Sequence, residues 1–236
     1  MYIQSSKKEI PLEGNLEWWW YKAKSKLLRF IILNCNLNDK NQILEIGPGK
    51  GNNLDTLKIF GTIDVLDEEI YFLDYLKKEK PDYVNNYYTD LNNIDKKYDL
   101  IILLDVIEHI KEPKIFLNRL RKILKKGGII ILGVPAYMSL WSVHDEKLNH
   151  FRRYTWKLIE EECKDFKISK RYGFNYLLLP LRFLQVKFSK NIHTTNESNN
   201  LVNGLLYFVT NIEFLLRKLG INPKFGISLY AVLKLR

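Results

Sequence analysis

Cysteine is scarce in this sequence: only Cys35 and Cys163 are present, far apart and outside any C-x-x-C pair. This usage argues against a disulfide scaffold and against a cysteine-built zinc site, and it is typical of cytosolic thiols. No uninterrupted apolar run reaches the roughly 18 residues that a membrane-spanning helix needs. Residues 1–14 lack the apolar core of a signal peptide. We therefore expect a cytoplasmic protein without a spanning helix.

The overall composition is that of an ordinary globular protein, with 46% hydrophobic and 27% charged residues. Disorder and collagen are thereby excluded, and 236 residues suit one α/β domain with at most a small appendage. The net charge of +10 is uneven: it is +3 over residues 1–60, zero over 61–160 and +7 over 161–236. The basic last third predicts either an anionic partner (a phosphate-bearing substrate, a membrane surface or nucleic acid) or a lysine-rich solvated surface.

Short apolar runs alternate with segments of helical spacing from residue 43 onward, which is typical of a parallel sheet covered by helices. A helix is predicted to begin at Pro113, and the Lys-Lys-Gly-Gly run at 125–128 is typical of its basic, glycine-terminated end. An aromatic-rich amphipathic helix is predicted at 17–33. The predicted strands of this part of the chain are 42–46, 62–66, 83–88, 99–104 and 128–134.

The last third has a different organisation, with more helix between its strands. Two apolar stretches, 176–188 and 201–219, are separated by a polar segment at 191–200 that we expect to be a mobile loop. The remaining predicted elements are a helix at 155–163 and strands at 166–172 and 226–235. A helical insertion followed by a returning strand is unusual for a plain dinucleotide-binding fold.

A glycine-rich turn directly follows the first predicted strand, in the run E-I-G-P-G-K-G at 45–51. Glycines there let the backbone turn tightly and let a ligand approach main-chain N–H groups. The dinucleotide fingerprint G-x-G-x-x-G would need glycine at position 52, where this chain has Asn52. The turn alone therefore leaves the class of cofactor open.

Together with later motifs, this run resembles class I S-adenosylmethionine-dependent methyltransferases. Residues 98–110 (Y-D-L-I-I-L-L-D-V-I-E-H-I) are similar to that family's fourth-strand motif, and 124–131 (L-K-K-G-G-I-I-I) to its loop into the fifth strand. Three further motifs resemble members associated with bacterial surface-glycan biosynthesis. They are W-W-W-Y at 18–21, the H-D-x-x-x-x-H-x-R-R-Y pattern at 144–154 and G-I-S-L at 226–229.

The resemblance implies an α/β fold with a Rossmann-like, seven-stranded, mostly parallel sheet in the order 3-2-1-4-5-7-6, with helices on both faces. A helical insertion is expected before the last strand. We predict a single domain over 1–236 in four parts: an N-terminal helical cap (1–40), a cofactor-binding core (41–172), the helical insertion (173–222) and a closing strand (223–236). Residues 176–219 are expected to form a cap over the acceptor side.

Three acids at predicted strand ends are candidate cofactor ligands, because open α/β sheets bind ligands at those ends. A carboxylate at Asp67 can accept both ribose hydroxyl hydrogens, in NAD enzymes as in methyltransferases. The resemblance implies that Asp90 accepts the adenine amino group and that Asp105 lies beside the methionine moiety. Any one of these acids alone is equally compatible with a helix cap or a loop.

The resemblance also implies that the cofactor is S-adenosyl-L-methionine. The family usually has an arginine shortly after its tryptophan pair, whereas this chain has Lys24, which can pair with the cofactor carboxylate only as a point charge. The predicted cofactor-binding residues are Glu45, Gly47, Gly49, Gly51, Asp67, Asp90, Leu91, Asp105 and Trp20.

Histidine is the natural base for taking a proton from an acceptor hydroxyl near neutral pH. His144 and His150 follow the fifth predicted strand, on the acceptor side of this fold, and we predict His144 as the general base. His150, Arg152, Arg153 and Tyr154 are predicted to bind the acceptor, since arginine pairs suit phosphate or carboxylate groups. A salt-bridged structural segment is the alternative interpretation of this run.

No resident metal is expected, but one alternative is open. Asp105, Glu108 and His109 resemble the E-x-x-E-H segment of small-RNA 2′-O-methyltransferases, in which a later histidine helps complete a metal site. His144 or His150 would supply that ligand here, in a carboxylate and imidazole set that suits magnesium, manganese or zinc. In metal-free relatives with the same E-H pair, the two side chains brace the loop.

The predicted function is S-adenosylmethionine-dependent O-methylation of a sugar, glycolipid or other small metabolite. The predicted partners are a small-molecule or lipid-linked glycan acceptor, an anionic membrane surface at the inner membrane face, and a second copy of the chain. Nucleic acid is not expected, because the chain has no RNA-recognition motif. Two alternatives are an NAD-binding oxidoreductase, which Asn52 and the closing strand disfavour, and a non-enzymatic basic module that binds membrane or nucleic acid.

Overall fold

A computed structural model describes residues 19–38, 40–188 and 200–236. Within these ranges the strands are β1 (Asn41–Ile46), β2 (Gly61–Leu66), β3 (Val84–Tyr88), β4 (Tyr98–Leu104), β5 (Leu124–Pro135), β6 (Phe166–Phe174) and β7 (Ser228–Leu235). The polar segment predicted at 191–200 falls, apart from Asn200, outside the described residues, as do residues 1–18 of the predicted cap.

The strands form one sheet in the order β3-β2-β1-β4-β5-β7-β6. The first five pair in parallel, whereas β7 runs antiparallel to both β5 and β6. The predicted mostly parallel, seven-stranded Rossmann-like arrangement is confirmed. The strand order reverses at β1, with β2 and β3 following on one side and β4 and β5 on the other. The carboxyl ends of β1 and β4 therefore border the crevice in which such sheets bind ligands.

Helices cover both faces of the sheet. They are α1 (Trp19–Leu33), α2 (Leu54–Leu57), α3 (Ile70–Glu79), α4 (Pro113–Ile123), α5 (Val143–Lys147), α6 (Trp156–Glu162), α7 (Leu179–Phe188) and α8 (Asn200–Lys218). Apolar side chains of α1, α2, α3 and α8 share one core with the sheet, and those of α4 and α6 share the other. The sheet is therefore the middle of three layers.

The apolar run of β4 explains why this strand is central. Leu100 and Ile102 face the core that contains α1, whereas Ile101 and Leu103 face the core that contains α4. Side chains of a strand alternate between faces, so a strand that is covered on both sides must be apolar at every position. Each such side chain contributes about 1.5–3 kcal/mol when it is fully buried.

Helix α4 ends at Ile123, before the glycines that were predicted to terminate it. The Lys-Lys-Gly-Gly run at 125–128 belongs to β5, because Leu124 is already extended and pairs with Tyr98 of β4. The Leu124 side chain is buried in the sheet core, so strand pairing and burial outweigh the local signal for a glycine helix end. Gly127 still adopts a positive φ of 86°, but inside the strand.

The helical insertion starts later than predicted, because β6 continues to Phe174 and Asn175 then turns the chain with a φ of 55°. Glu213 of α8 accepts the backbone N–H groups of Asn175 (3.0 Å) and Leu177 (2.8 Å). Burial raises the pKa of Glu213 to about 7, and these two N–H groups oppose that shift. The contacts anchor α8 to the carboxyl end of β6.

Helices α7 and α8 leave much of their apolar surface uncovered. Leu181, Phe188, Leu201 and Leu205 are 60–79% exposed, and α7 has no buried residue. In the described parts of the chain, no helix combines the length and apolar character that crossing a membrane requires.

Candidate functional site

The turn after β1 has the backbone shape of a ligand-binding loop. Gly47, Gly49 and Gly51 have positive φ angles of 69°, 52° and 73°, in the region that side-chain-bearing residues avoid. A Cβ at Gly47 would lie 2.9 Å from the Val106 side chain, whereas a Cβ at Gly49 would meet open space. Gly47 is therefore needed for close packing, and Gly49 leaves the backbone accessible to a ligand.

Glu45 lies beneath this loop, at the end of β1. It is 1% exposed, and its Oε1 accepts a 2.7 Å hydrogen bond from Asn53. Its other oxygen has no hydrogen-bond partner among the described residues. Burial raises the pKa of Glu45 to about 7, against the lowering effect of the Asn53 hydrogen bond. An unsatisfied, buried carboxyl at the loop is an acceptor that a bound polar group can use.

Asp67 follows β2 directly, on the same side as the glycine loop. Its Oδ1 accepts the backbone N–H of Glu69 at 3.0 Å, and its own N–H donates to the carbonyl of Tyr88 at 3.1 Å. Burial raises the pKa of Asp67 to about 6, opposed by the N–H groups of Glu69 and Gly49. The half-buried carboxylate is thus fixed in place beside Gly49 with accepting capacity left.

Asp90 and Leu91 lie after β3. The Asp90 side chain accepts the N–H of Asn92 at 2.8 Å and faces Arg119 at 3.5 Å. Leu91 is 7% exposed and packs in the core shared with α4. Asp90 therefore performs the capping role that was the alternative to ligand binding, and its role toward adenine stays a prediction.

Lys24 of α1 and Asp105 at the end of β4 form an ion pair. Asp105 has a φ of 55°. This backbone conformation is energetically unfavourable for a residue other than glycine, and such conformations are frequent at functional sites. Burial lowers the pKa of Lys24, but Asp105 outweighs burial and raises it above the usual value. The Lys24 ammonium also lies 6.0 Å from the centre of the Trp20 ring.

These features fit a nucleoside cofactor with a charged amino-acid end. The loop at Gly49 offers accessible backbone, Asp67 offers a fixed carboxylate beside it, and Lys24 with Asp105 offers both charge signs at the neighbouring strand end. Trp20 packs edge-on against Trp19 and is tilted against Phe174, with both ring centres 5.5 Å away, so an aromatic wall borders the ion pair. The structure thus brings the predicted cofactor residues of β1, β2 and β4 to one edge of the sheet.

Asp145 is the centre of a buried polar network on the acceptor side. Its side chain is fully buried and accepts two hydrogen bonds from Arg153, Nε at 2.8 Å and Nη2 at 3.0 Å. It also accepts the N–H of Ser142 and lies 2.9 Å from Nδ1 of His150. Burial raises the pKa of Asp145, but its hydrogen bonds to His150 and Arg153 outweigh burial and hold it well below the usual range.

His144 lies next to Asp145 on α5, with an exposed side chain. Burial of part of the ring lowers the pKa of His144, Asp145 opposes this shift, and His150 adds to it. A neutral imidazole that solvent and an acceptor can reach suits a proton-accepting role. The role of His144 as the general base stays a prediction.

The predicted acceptor-binding run at 152–154 is held by the protein itself. Arg152 donates to the carbonyl of Lys111 at 2.8 Å, and the hydroxyl of Tyr154 donates to the carbonyl of Ile107 at 3.2 Å. Tyr154 is fully buried, and Arg153 is engaged as described above. These contacts are those of a structural segment, which was the alternative interpretation, and acceptor binding by this run stays a prediction.

Two supporting features of the site were not predicted from the sequence. The role of Asp145 as a hub for His150 and Arg153 was not foreseen, although the S-x-x-D spacing of Ser142 and Asp145 is a capping-box signal, and both capping bonds are present. Arg182 of α7 donates to the Ser142 hydroxyl at 3.2 Å, and no local sequence pattern indicates this contact. It comes from a distant helix.

An apolar cleft of about 460 Å³ lies between the loop after β5 and helix α7. Tyr137 and Leu140 line it from the loop after β5, and Leu179, Phe183 and Leu184 line it from α7. The cleft therefore places an apolar surface next to the loop that carries His144.

Three comparisons place the chain among known proteins. The profile of a methyltransferase domain family matches residues 17–172. The ubiquinone biosynthesis O-methyltransferase of Rickettsia bellii is 35% identical over 116 residues, which cover 44% of this chain and 48% of that protein. The match thus spans about half the length of the curated relatives.

Two solved structures share the fold. A SAM-dependent methyltransferase from Archaeoglobus fulgidus has a TM-score of 0.59 and 17% identity, with 91% of this chain and 94% of that chain covered. The N-methyltransferase NodS from Bradyrhizobium japonicum, solved with S-adenosyl-L-homocysteine, has a TM-score of 0.58 and 12% identity, with 98% and 93% covered. The NAD-dependent and non-enzymatic alternatives have no support in these findings. The family match covers well over half of the sequence and confirms the predicted S-adenosylmethionine-dependent class, so the chain belongs to the methyltransferase domain family.

Proposed function

We propose that this protein transfers a methyl group from S-adenosylmethionine to a hydroxyl of a small, partly apolar acceptor, such as a sugar, a glycolipid or a related metabolite. The observation that carries the proposal is the adjacency of two sites. The Lys24–Asp105 pair ends the cofactor edge. Four residues after Asp105, the ring of His109 packs edge-on against His150 of the acceptor-side network, with the ring centres 4.6 Å apart. Cofactor and acceptor groups would therefore meet at the end of β4.

The chain's own residues would hold the cofactor at three points. Asp67 would accept the ribose hydroxyls, the Gly49 backbone would lie against the amino-acid portion, and Lys24 with Asp105 would pair with its carboxylate and ammonium. Trp20 would cover the charged end and limit access of water. The bound cofactor would supply an activated methyl group to the acceptor oxygen, with the electron pair of the broken C–S bond left on its sulfur.

The acceptor side has to orient a hydroxyl and remove its proton. We assign proton removal to His144, whose ring nitrogen takes the hydroxyl proton as the oxygen gains the methyl group. A lowered pKa keeps this imidazole neutral at physiological pH, which is the form that accepts a proton. Asp145 positions the segment through Ser142 and Arg153, and alignment is the main catalytic task for an already activated methyl donor.

An oxygen acceptor with an apolar portion has two supports. The names of the curated relatives specify O-methylation in ubiquinone biosynthesis. The apolar cleft between the loop after β5 and α7 would receive the apolar part of such a molecule, since concave apolar surfaces with a few polar groups are typical of small-molecule sites. A phosphate-bearing glycan carrier is compatible with the basic last third of the chain.

The uncovered apolar surface of α7 and α8 supports a peripheral contact with an anionic membrane. Leu181, Phe188 and Leu205 are at least 60% exposed, and Lys187 and Lys218 lie on the same helices. Apolar side chains beside cations are typical of helices that lie in a membrane surface. A homodimer that buries the same surface is the second candidate, because exposed apolar patches also mark protein contacts.

The function is tested in two steps with purified full-length chain. Thermal shifts with S-adenosylmethionine, S-adenosylhomocysteine and NAD should show stabilisation by the first two only. The protein is then incubated with methyl-labelled S-adenosylmethionine and with fractionated cell glycans and lipids. We expect labelled products that are heavier by one CH₂ group. Stabilisation by NAD alone, or label confined to nucleic acid, would contradict the proposal.

A further inference from the structure

Three side chains from two separate segments converge beside the cofactor edge. Glu108 and His109 lie on a short turn, Ile107–His109, directly after β4, and His150 follows α5. One ligand atom from each of the three lies within 4.8 Å of those of the other two. The rings of His109 and His150 meet edge-on, with their centres 4.6 Å apart.

Glu108 is the unusual member of this group. Its side chain is completely buried, and neither carboxyl oxygen has a hydrogen-bond partner on any other residue that the structure describes. A buried carboxyl without a partner is costly, so its retention beside two imidazoles points to a ligand that would satisfy it.

His150 and His109 are both held in orientations that leave one ring nitrogen available. Asp145 lies 2.9 Å from Nδ1 of His150, which leaves Nε2 as the free nitrogen. His109 bonds to the backbone of Leu148. A carboxylate or carbonyl behind the imidazole fixes the tautomer and orientation of metal-binding histidines in proteins, and both histidines here have such a support.

We propose that Glu108, His109 and His150 bind a divalent metal ion of the zinc class. Two imidazoles and one carboxylate are a known catalytic zinc set that leaves a fourth position open. Magnesium is disfavoured because it prefers all-oxygen ligands. His144 is outside this group: its side chain is exposed on α5, so of the two later histidines it is His150 that completes the set.

The use of the ion rests on the proposed function. An acceptor hydroxyl in the open position would be polarised by the metal, which lowers its pKa before the proton passes to His144. Asp105 connects the two sites, because it belongs to the ion pair with Lys24 and comes just before the turn that carries Glu108 and His109. Metal binding itself can be measured without any methyl acceptor.

The test uses tag-free, full-length protein stripped with a chelator. Zinc is titrated by calorimetry, and cobalt is added as a probe because its visible absorption reports on coordination number and ligand type. We expect one metal per chain, with a cobalt spectrum of a four- or five-coordinate site. Glu108→Gln and His150→Gln should each weaken zinc binding at least about 100-fold, whereas His144→Gln should leave it unchanged.

Circular dichroism and the thermal shift with S-adenosylmethionine check that each variant folds. The proposal is overturned if the folded wild-type chain binds no zinc or cobalt, or if His144→Gln weakens binding as much as His150→Gln does. If the chain binds no metal but still methylates its acceptor in the presence of chelator, the metal proposal is refuted and the proposed function is unaffected. Metal binding without detectable methyl transfer would support the metal site and contradict the proposed function.

Discussion

Lys24 and Asp105 are separated by 81 positions in the chain, yet they form an ion pair where β4 ends. The side chain of Lys24 is 9% exposed and that of Asp105 is 40% exposed, so the pair is open to a ligand on the carboxylate side. Helix α1 is thereby tied to the central strand at the edge where the glycine loop lies. The pair presents both charge signs at this edge, as the proposed binding of the amino-acid end of the cofactor requires.

Lys24→Met is expected to weaken S-adenosylmethionine binding by about 1–3 kcal/mol, because the cofactor carboxylate loses its cation and Asp105 loses its partner. Lys24→Arg should retain most of the affinity, since the charge is kept. Calorimetric titration of the cofactor measures both variants. Equal losses in the two would show that packing of the side chain, and not its charge, matters here.

Asp67→Ala is expected to weaken cofactor binding by about 1–3 kcal/mol, since two ribose hydroxyls would lose their acceptor. Glu69→Ala is the matched control, because Glu69 is an exposed acid two positions away whose backbone N–H bonds to Asp67 in either case. Its affinity should stay near that of the wild type. Unchanged calorimetric affinity in Asp67→Ala would refute the assignment.

His144→Gln is expected to lower turnover about 10²–10⁴-fold, the usual contribution of a general base, with cofactor affinity preserved. Glu146→Gln, an exposed neighbour on α5, is the control for local disturbance of the helix. Single-turnover rates with labelled cofactor measure the effect. Turnover close to that of the wild type would end the assignment of His144 as the base.

The pH dependence of turnover follows from the lowered pKa of His144. A base acts in its neutral form, so a pKa below the ordinary histidine value moves the acidic limb of the rate profile to lower pH. We expect the rate to stay high below pH ~6.5, the unperturbed histidine value, before it falls. An acidic limb with its midpoint at or above pH ~6.5 would contradict the assignment of a neutral, partly desolvated His144 as the base.

Asp145→Ala is expected to cost about 3–5 kcal/mol of stability, because it leaves the buried Arg153 guanidinium without its carboxylate. In the wild type, hydrogen bonds from His150 and Arg153 hold the pKa of Asp145 well below its unfolded value. Its contribution is therefore present above pH ~4, the unfolded value, and is lost as the pH falls below it. Chemical denaturation of wild type and variant from pH 7 to pH 3 measures both effects, and stability curves that stay a constant distance apart would contradict the expected loss.

The membrane contact predicts that the chain floats with anionic liposomes at low salt. Leu205→Ser on α8 should reduce this binding, because Leu205 is 63% exposed among other apolar side chains. Ile115→Ser is the matched control, since Ile115 is 59% exposed but lies on α4, in the layer on the other side of the sheet. No binding of the wild type to anionic vesicles would exclude the membrane contact, and a monomer-to-dimer equilibrium shifted by Leu205→Ser would favour the homodimer.

Most of the sheet and its cofactor edge could be predicted from local sequence. The glycines at 47, 49 and 51 directly follow β1, and Asp67, Asp90 and Asp105 follow β2, β3 and β4. Strand order followed from the family resemblance and the closing strand at the end of the chain, and the structure confirms it. The end of α4 was not predictable in the same way, because burial of Leu124 against β4 outweighs the local glycine signal.

The sequence by itself determined which residue types reach the edge of the sheet, because apolar periodicity and glycine positions are local properties of the chain. Only the tertiary structure decided which of them meet. In the folded chain, Lys24 pairs with Asp105, and Asp145 forms hydrogen bonds with His150 and Arg153. His150, and not His144, lies beside Glu108. These contacts join segments that are distant in sequence, and their geometry depends on how helices and loops pack around the sheet, which no local pattern encodes.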